Sequence, residues 1–170
     1  MVVAPLKSGN DRHPIARMRM ALDAVCNTCK RYKVDPKRIY VAGFSGGGRI
    51  ASVLGMAYGD LFSGTICICG VNFYADVKTP TGEKYAGSFF PTAAALSRAK
   101  TAGRFVLLTG ELDVNRENTL STYERGFKLT GFRNCHYLEV KGMKHELPRA
   151  PVINTALAYL AGTAKESEAK

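Results

Sequence analysis

The chain has 170 residues, 46% apolar and 22% charged, with a net charge of +10 and five cysteines. That length favours one domain with its own core, and the balance is that of an ordinary globular protein, which needs no disulfide scaffold or metal to hold it. The basic residues are scattered, with no Lys/Arg tract among aromatics, so they read as a solvated surface rather than a nucleic-acid interface, and no stretch reaches the roughly 20 apolar residues of a membrane span.

Residues 1–5 (MVVAP) read as a short buried strand, and the polar residues after MVVAPL do not continue as a signal peptide. A loop with Gly9, Asn10 and Asp11 follows, and Pro14 suits a first helical turn. Ile15, Met18, Leu22, Val25, Cys29 and Tyr32 then recur at spacings of three and four, an amphipathic helix. Cys29 lies on that stripe, so the CxxC of Cys26 and Cys29 reads as core packing. A second pair that would complete a zinc site is lacking, and a helix interior is the wrong context for a redox motif. The cysteines favour a reducing, cytoplasmic type of compartment.

Asp35-Pro36 breaks the helix, and residues 38–42 (RIYVA) form a second strand. Residues 43–48 (GFSGGG) turn sharply into a helix with Ile50, Val53, Leu54 and Ala57 on one face. Residues 64–69 (GTICIC) are a third strand, in which Cys67 and Cys69 act as small hydrophobes. Residues 70–100 are less regular and rich in aromatics, the pattern of a lid or binding excursion. Within it Phe73 and Tyr74, together with Phe44, are candidate substrate contacts. A fourth strand (104–109), a helix (117–129, stopped by Gly131) and a fifth strand (135–140) follow. The last helix runs from near Pro151 to near Gly162 and packs Ile153, Leu157 and Leu160; the tail 163–170 is polar. The alternation predicts an α/β fold: one domain over residues 1–162, with a mainly parallel sheet of about five strands and helices on both faces.

Gly43-Phe44-Ser45-Gly46-Gly47 matches G-x-S-x-G, and it stands between a predicted strand and a predicted helix, where a nucleophile elbow belongs. The turn would lift the Ser45 hydroxyl above the sheet and aim the Gly46 N–H at a developing oxyanion. A phosphate loop is the competing reading, but the lysine of the Walker pattern is missing. A serine hydroxyl needs a base. His13 starts a helix, where it reads as a cap, and His136 lies inside the fifth strand. His145 follows that strand in a loop, at the carboxyl end of the sheet where functional groups gather. The acid should follow the fourth strand. Glu111 and Asp113 both qualify; Asp113, further into the loop, is better placed to reach His145, and Glu111 reads as holding the loop. Asp76 is a remoter candidate.

Three segments together resemble the α/β-hydrolase superfamily, in its carboxylesterase-like branch of polyhydroxybutyrate-depolymerase-like and feruloyl- or acetylxylan-esterase-like proteins. They are residues 35–48 (DPKRIYVAGFSGGG), 110–116 (GELDVNR) and 142–148 (GMKHELP). The resemblance runs over about residues 2–162. It implies a Ser45, Asp113, His145 triad acting on small-molecule carboxylic esters, with no cofactor and no metal. Members of that branch carry further strands ahead of the one resembling MVVAP, and a loop after one of them supplies a second oxyanion donor. That loop has no counterpart in this sequence, which therefore reads as a truncated or minimal form of the fold. The alternative is a weak or silent hydrolase module acting in binding or assembly. The same departure leaves strand 38–42 with an unpaired edge. Either MVVAP moves in to pair with it, or a second copy covers it, a homodimer being the simplest closed solution.

Overall fold

The computed structural model describes residues 1–163. In chain order these form α1 (Pro14–Arg31), β1 (Tyr40–Phe44), α2 (Gly46–Ala57), β2 (Gly64–Ile68), β3 (Val77–Lys78), β4 (Lys84–Tyr85), α3 (Ala93–Thr101), β5 (Arg104–Gly110), α4 (Arg116–Ser121), β6 (Asn134–Val140) and α5 (Ala150–Ala161). Strands β1, β2, β5 and β6 make one parallel sheet in that spatial order, and β3 and β4 form a separate two-residue hairpin. The polar tail lies beyond the described residues, except for Thr163.

Side chains alternate across the two central strands. Cys67, Phe105 and Leu107 face one layer, where they pack with Met56 of α2, Ala99 of α3, and Phe127 and Phe132. Ile66, Ile68, Val106 and Leu108 face the other layer, against Ala156 and Leu160 of α5. The expected α/β architecture with a parallel sheet and helices on both faces is therefore present. β2 is buried along its whole length, as a parallel strand covered on both faces must be.

The sheet has four strands rather than about five, because residues 1–5 form no strand. A strand exists through its ladder, and among the described residues nothing pairs with MVVAP. Met1, Val2 and Val3 are exposed, and Met1, Val3 and Pro5 line the mouth of a cavity of about 360 Å³ between α1 and β1. β1 is thus an edge strand, paired with β2 alone.

α1 also corrects the predicted stripe. Met18, Leu22 and Val25 pack against Val41, Leu54 and Phe62, but Ile15, Cys29 and Tyr32 are exposed. The two ends of the helix overrun the underlying layer, so Cys26 and Cys29 are surface thiols and not core. The segment 70–100 is more ordered than its composition suggests: Val71, Phe73 and Val77 are buried, and α3 closes it, with Thr92 capping through Ala95 N–H. α3 has a Thr cap and an Ala-rich start that were legible signals. The helix expected over 117–129 is α4 followed by a π-helical turn over Thr122–Lys128.

Candidate active site

Ser45 stands between the end of β1 and the start of α2 with φ 53° and ψ −116°. That conformation is strained for a residue with a Cβ. It persists because both sides hold it. Ser45 N–H donates to the Ile68 carbonyl of β2 at 2.7 Å, and its own carbonyl accepts from Arg49 N–H in α2 at 3.2 Å. Gly43 is required two residues earlier, because a Cβ there would run into the Gly47 backbone. Serine at a helix start usually spends its hydroxyl on capping. Ser45 makes no such cap bond, and its Oγ lies 2.9 Å from His145 Nε2.

His145 sits in the loop after β6, half-buried, with the ring of Phe44 4.9 Å away centroid to centroid. Its Nδ1 lies 2.7 Å from Asp113 Oδ1. The loops after β5 and β6 meet because Leu112 N–H donates to the Met143 carbonyl and Glu111 N–H to the Val140 carbonyl, both at 3.0 Å. Glu111 fastens the same junction, accepting from Gly142 N–H at 2.8 Å through Oε2. Asp113 therefore reaches the imidazole while Glu111 points to the loop.

Asp113 is buried, at 6% exposure. Burial pushes its pKa up, but hydrogen bonds from Asn115 N–H, the Thr109 hydroxyl, His145 and the Cys69 thiol outweigh this and hold it below the ordinary carboxylate value. Asn115 ties this loop to the end of β2 by donating from Nδ2 to the Cys69 carbonyl at 2.9 Å. Sequence reasoning placed Cys69 in the third strand. It instead follows β2 in a turn with φ 53°, buried against Asp113. Its thiol is pushed up to about 12, by burial first and then by Asp113, so it stays protonated as a donor. Cys69, Asp113 and His145 are the one group among the described residues whose possible metal-ligating atoms all lie within 4.8 Å of one another. The arrangement shown is a hydrogen-bonded network in which each of them already has a partner.

The other nominated residues fall elsewhere. His13 accepts from Ile15 N–H and caps α1. His136 stacks on Tyr159, with its pKa lowered by burial. Asp76 is exposed and holds Lys84 and Gly87 N–H. Phe73 belongs to the core, at 4% exposure between Tyr74, Phe127 and Phe132. Tyr74 is half-buried beside it, under the Lys100 ammonium. Of the three aromatics, only Phe44 touches His145 among the described ring contacts. A cavity of about 470 Å³ opens behind the histidine loop, lined by residues such as Met143, Leu147 and Val152 but by none of Ser45, Asp113 and His145.

No family model and no curated protein matches the chain. Solved structures do match it in fold. A variant of SOBER1 from Arabidopsis thaliana is 14% identical with a TM-score of 0.58, over 95% of this chain and 71% of that one. The S-formylglutathione hydrolase FrmB of Staphylococcus aureus is 12% identical with a TM-score of 0.58, over 95% and 67%. FphF, a fluorophosphonate-binding serine hydrolase of Staphylococcus aureus, is 16% identical with a TM-score of 0.59, over 84% and 62%. The chain spans about two thirds of the length of these proteins. Its α/β fold is similar to theirs.

Proposed function

We propose that this chain is a carboxylic ester hydrolase working through an acyl-enzyme on Ser45. The observation that carries this reading is the unbroken series Ser45 Oγ, His145 Nε2, His145 Nδ1 and Asp113 Oδ1, with contacts of 2.9 and 2.7 Å, built on a serine held at positive φ. The likeness in fold to solved esterases supports it.

In the proposed cycle His145 Nε2 takes the proton as Ser45 Oγ attacks the ester carbonyl carbon. Asp113 holds Nδ1–H, which fixes the tautomer and stabilises the imidazolium. The carbonyl oxygen becomes an oxyanion, and the Gly46 N–H, among the first of α2 and outside the helical ladder, donates to it. The C–O bond to the alcohol then breaks, and His145 returns its proton to the leaving oxygen. Water then attacks the acyl-enzyme, giving up a proton to His145, which passes it to Ser45 Oγ as the acyl C–Oγ bond breaks and the acid is released. Phe44, against His145, supplies an apolar wall for the substrate.

Ser45→Ala and His145→Ala proteins with unchanged circular dichroism should lose hydrolysis of p-nitrophenyl butyrate by up to about 10⁶-fold. Wild-type turnover by folded Ser45→Ala would remove Ser45 as nucleophile.

A further inference from the structure

Gly46 N–H alone is half of a usual oxyanion hole, since tetrahedral intermediates are held by paired donors. The loop before α1 brings a second group to the same place. A Cβ built on Gly46 would meet the Asn10 carboxamide, its Oδ1 first, then Cγ at 2.8 Å and Nδ2 at 3.0 Å, so both ends of that amide rest on the first residue of α2. Only glycine leaves room for it there.

The orientation of that amide is set by Arg17. Arg17 Nη1 donates to Asn10 Oδ1 at 2.9 Å. A guanidinium has donors and no acceptor, so the oxygen must face Arg17 and Nδ2 remains free to donate elsewhere. Asn10 itself is exposed and open to a ligand. Arg17 is only 9% exposed, its Nε has no hydrogen-bond partner, and no carboxylate pairs with it among the described residues. Its Nη2 lies 4.0 Å from where a Gly47 Cβ would stand. A buried, uncompensated cation is costly for stability. Here it lies beside the amino end of α2, where it adds to the positive end of the helix dipole and favours negative charge.

We propose that Asn10 is the second oxyanion donor of this chain, its Nδ2 pairing with the Gly46 N–H on the substrate oxygen, with Arg17 fixing the amide and adding positive potential. This rests on the Ser45 esterase reading. It assigns to the N-terminal loop a task for which the sequence alone nominated no second residue.

The test uses Asn10→Asp, which keeps an acceptor for Arg17 but replaces the donor by a carboxylate, and Asn10→Ser as a second variant should the first not fold. Both are measured for kcat and KM on p-nitrophenyl butyrate and for the rate of fluorophosphonate labelling, with the labelled residue identified by mass spectrometry. The expected result is a kcat lower by about 10²–10³-fold with KM little changed, and a matching fall in labelling rate at Ser45. Wild-type kcat and labelling rate in a folded Asn10 variant, or a change confined to KM, overturns this inference alone while labelling at Ser45 keeps the esterase reading. Absence of labelling at Ser45 in the wild-type protein overturns both.

Discussion

Asp113 and Glu111 are two residues apart and do different work because their neighbours differ. Asp113 is buried under His145, Thr109 and Asn115, while Glu111 is exposed and accepts from Gly142 N–H. Asp113→Asn should lower kcat far more than Glu111→Gln. An amide beside Nδ1 favours the wrong imidazole tautomer, and the corresponding change in a serine protease costs about 10⁴-fold. Glu111→Gln should stay within about tenfold, because the loop keeps its backbone bonds and one net hydrogen bond is worth about 1 kcal/mol. Steady-state kinetics on the two folded variants checks the order, and a larger loss for Glu111→Gln would reassign the acid. The lowered pKa of Asp113 also has a stability consequence. A carboxyl whose folded pKa lies below its unfolded value of about 3.9 stabilises the native state above that pH, and the contribution is lost as pH falls through the folded value. Urea unfolding of wild type and Asp113→Asn should therefore differ most at neutral pH and converge as the pH falls below about 4. A constant difference down to pH 3 would detach Asp113 from acid stability.

At the scale of elements, the turn from β1 into α2 is the most constrained junction. Gly43, the positive φ of Ser45 and the bond from Ser45 N–H to Ile68 depend on one another. Gly43→Ala would force its methyl against the Gly47 backbone, which cannot give way without moving the start of α2. The expected cost is about 1–3 kcal/mol, as for overpacking elsewhere, together with a large loss of activity. Thermal unfolding and esterase assay on one preparation would check both, and an unperturbed melting temperature would show that the junction can relax. This junction was legible in the sequence because glycines are required wherever backbones meet so closely. The end of β2 was not: Cys69 continues an apolar alternation, and only its neighbours reveal that the chain has already turned toward Asp113. Phe73 was misjudged for a similar reason. An aromatic in an irregular segment looks available, yet Tyr74, Phe127 and Phe132 surround it.

For the whole molecule the open edge of β1 matters most. Ala42 on that strand is exposed and lines the adjoining cavity, as do the exposed Met1 and Val3. An unpaired strand edge next to apolar surface is a template for another chain. The 170-residue chain is accordingly expected to self-associate, with a dimer as the simplest closed form. Light scattering after size exclusion measures this directly. A monomer across the micromolar range with little binding of an apolar-surface dye would refute it. Among the described residues no helix is long and apolar enough to cross a membrane.

Local chemistry explains what the sequence by itself determined: the alternation of strands and helices, the sharp turn at Ser45, and the placing of Ser45, Asp113 and His145 after β1, β5 and β6. Each follows from periodicity, turn residues and the rule that loops at the carboxyl edge of a parallel sheet gather together. The tertiary structure alone decided three other things. MVVAP is no strand, because a strand needs a partner and its apolar residues cannot supply one. Cys29 is no core residue, because helical spacing gives a face but not how far the neighbouring layer extends beneath it. The Asn10 carboxamide rests on Gly46 because Arg17, seven residues further along the chain, holds its oxygen, and a contact between a loop and a helix start distant in sequence leaves no periodic trace.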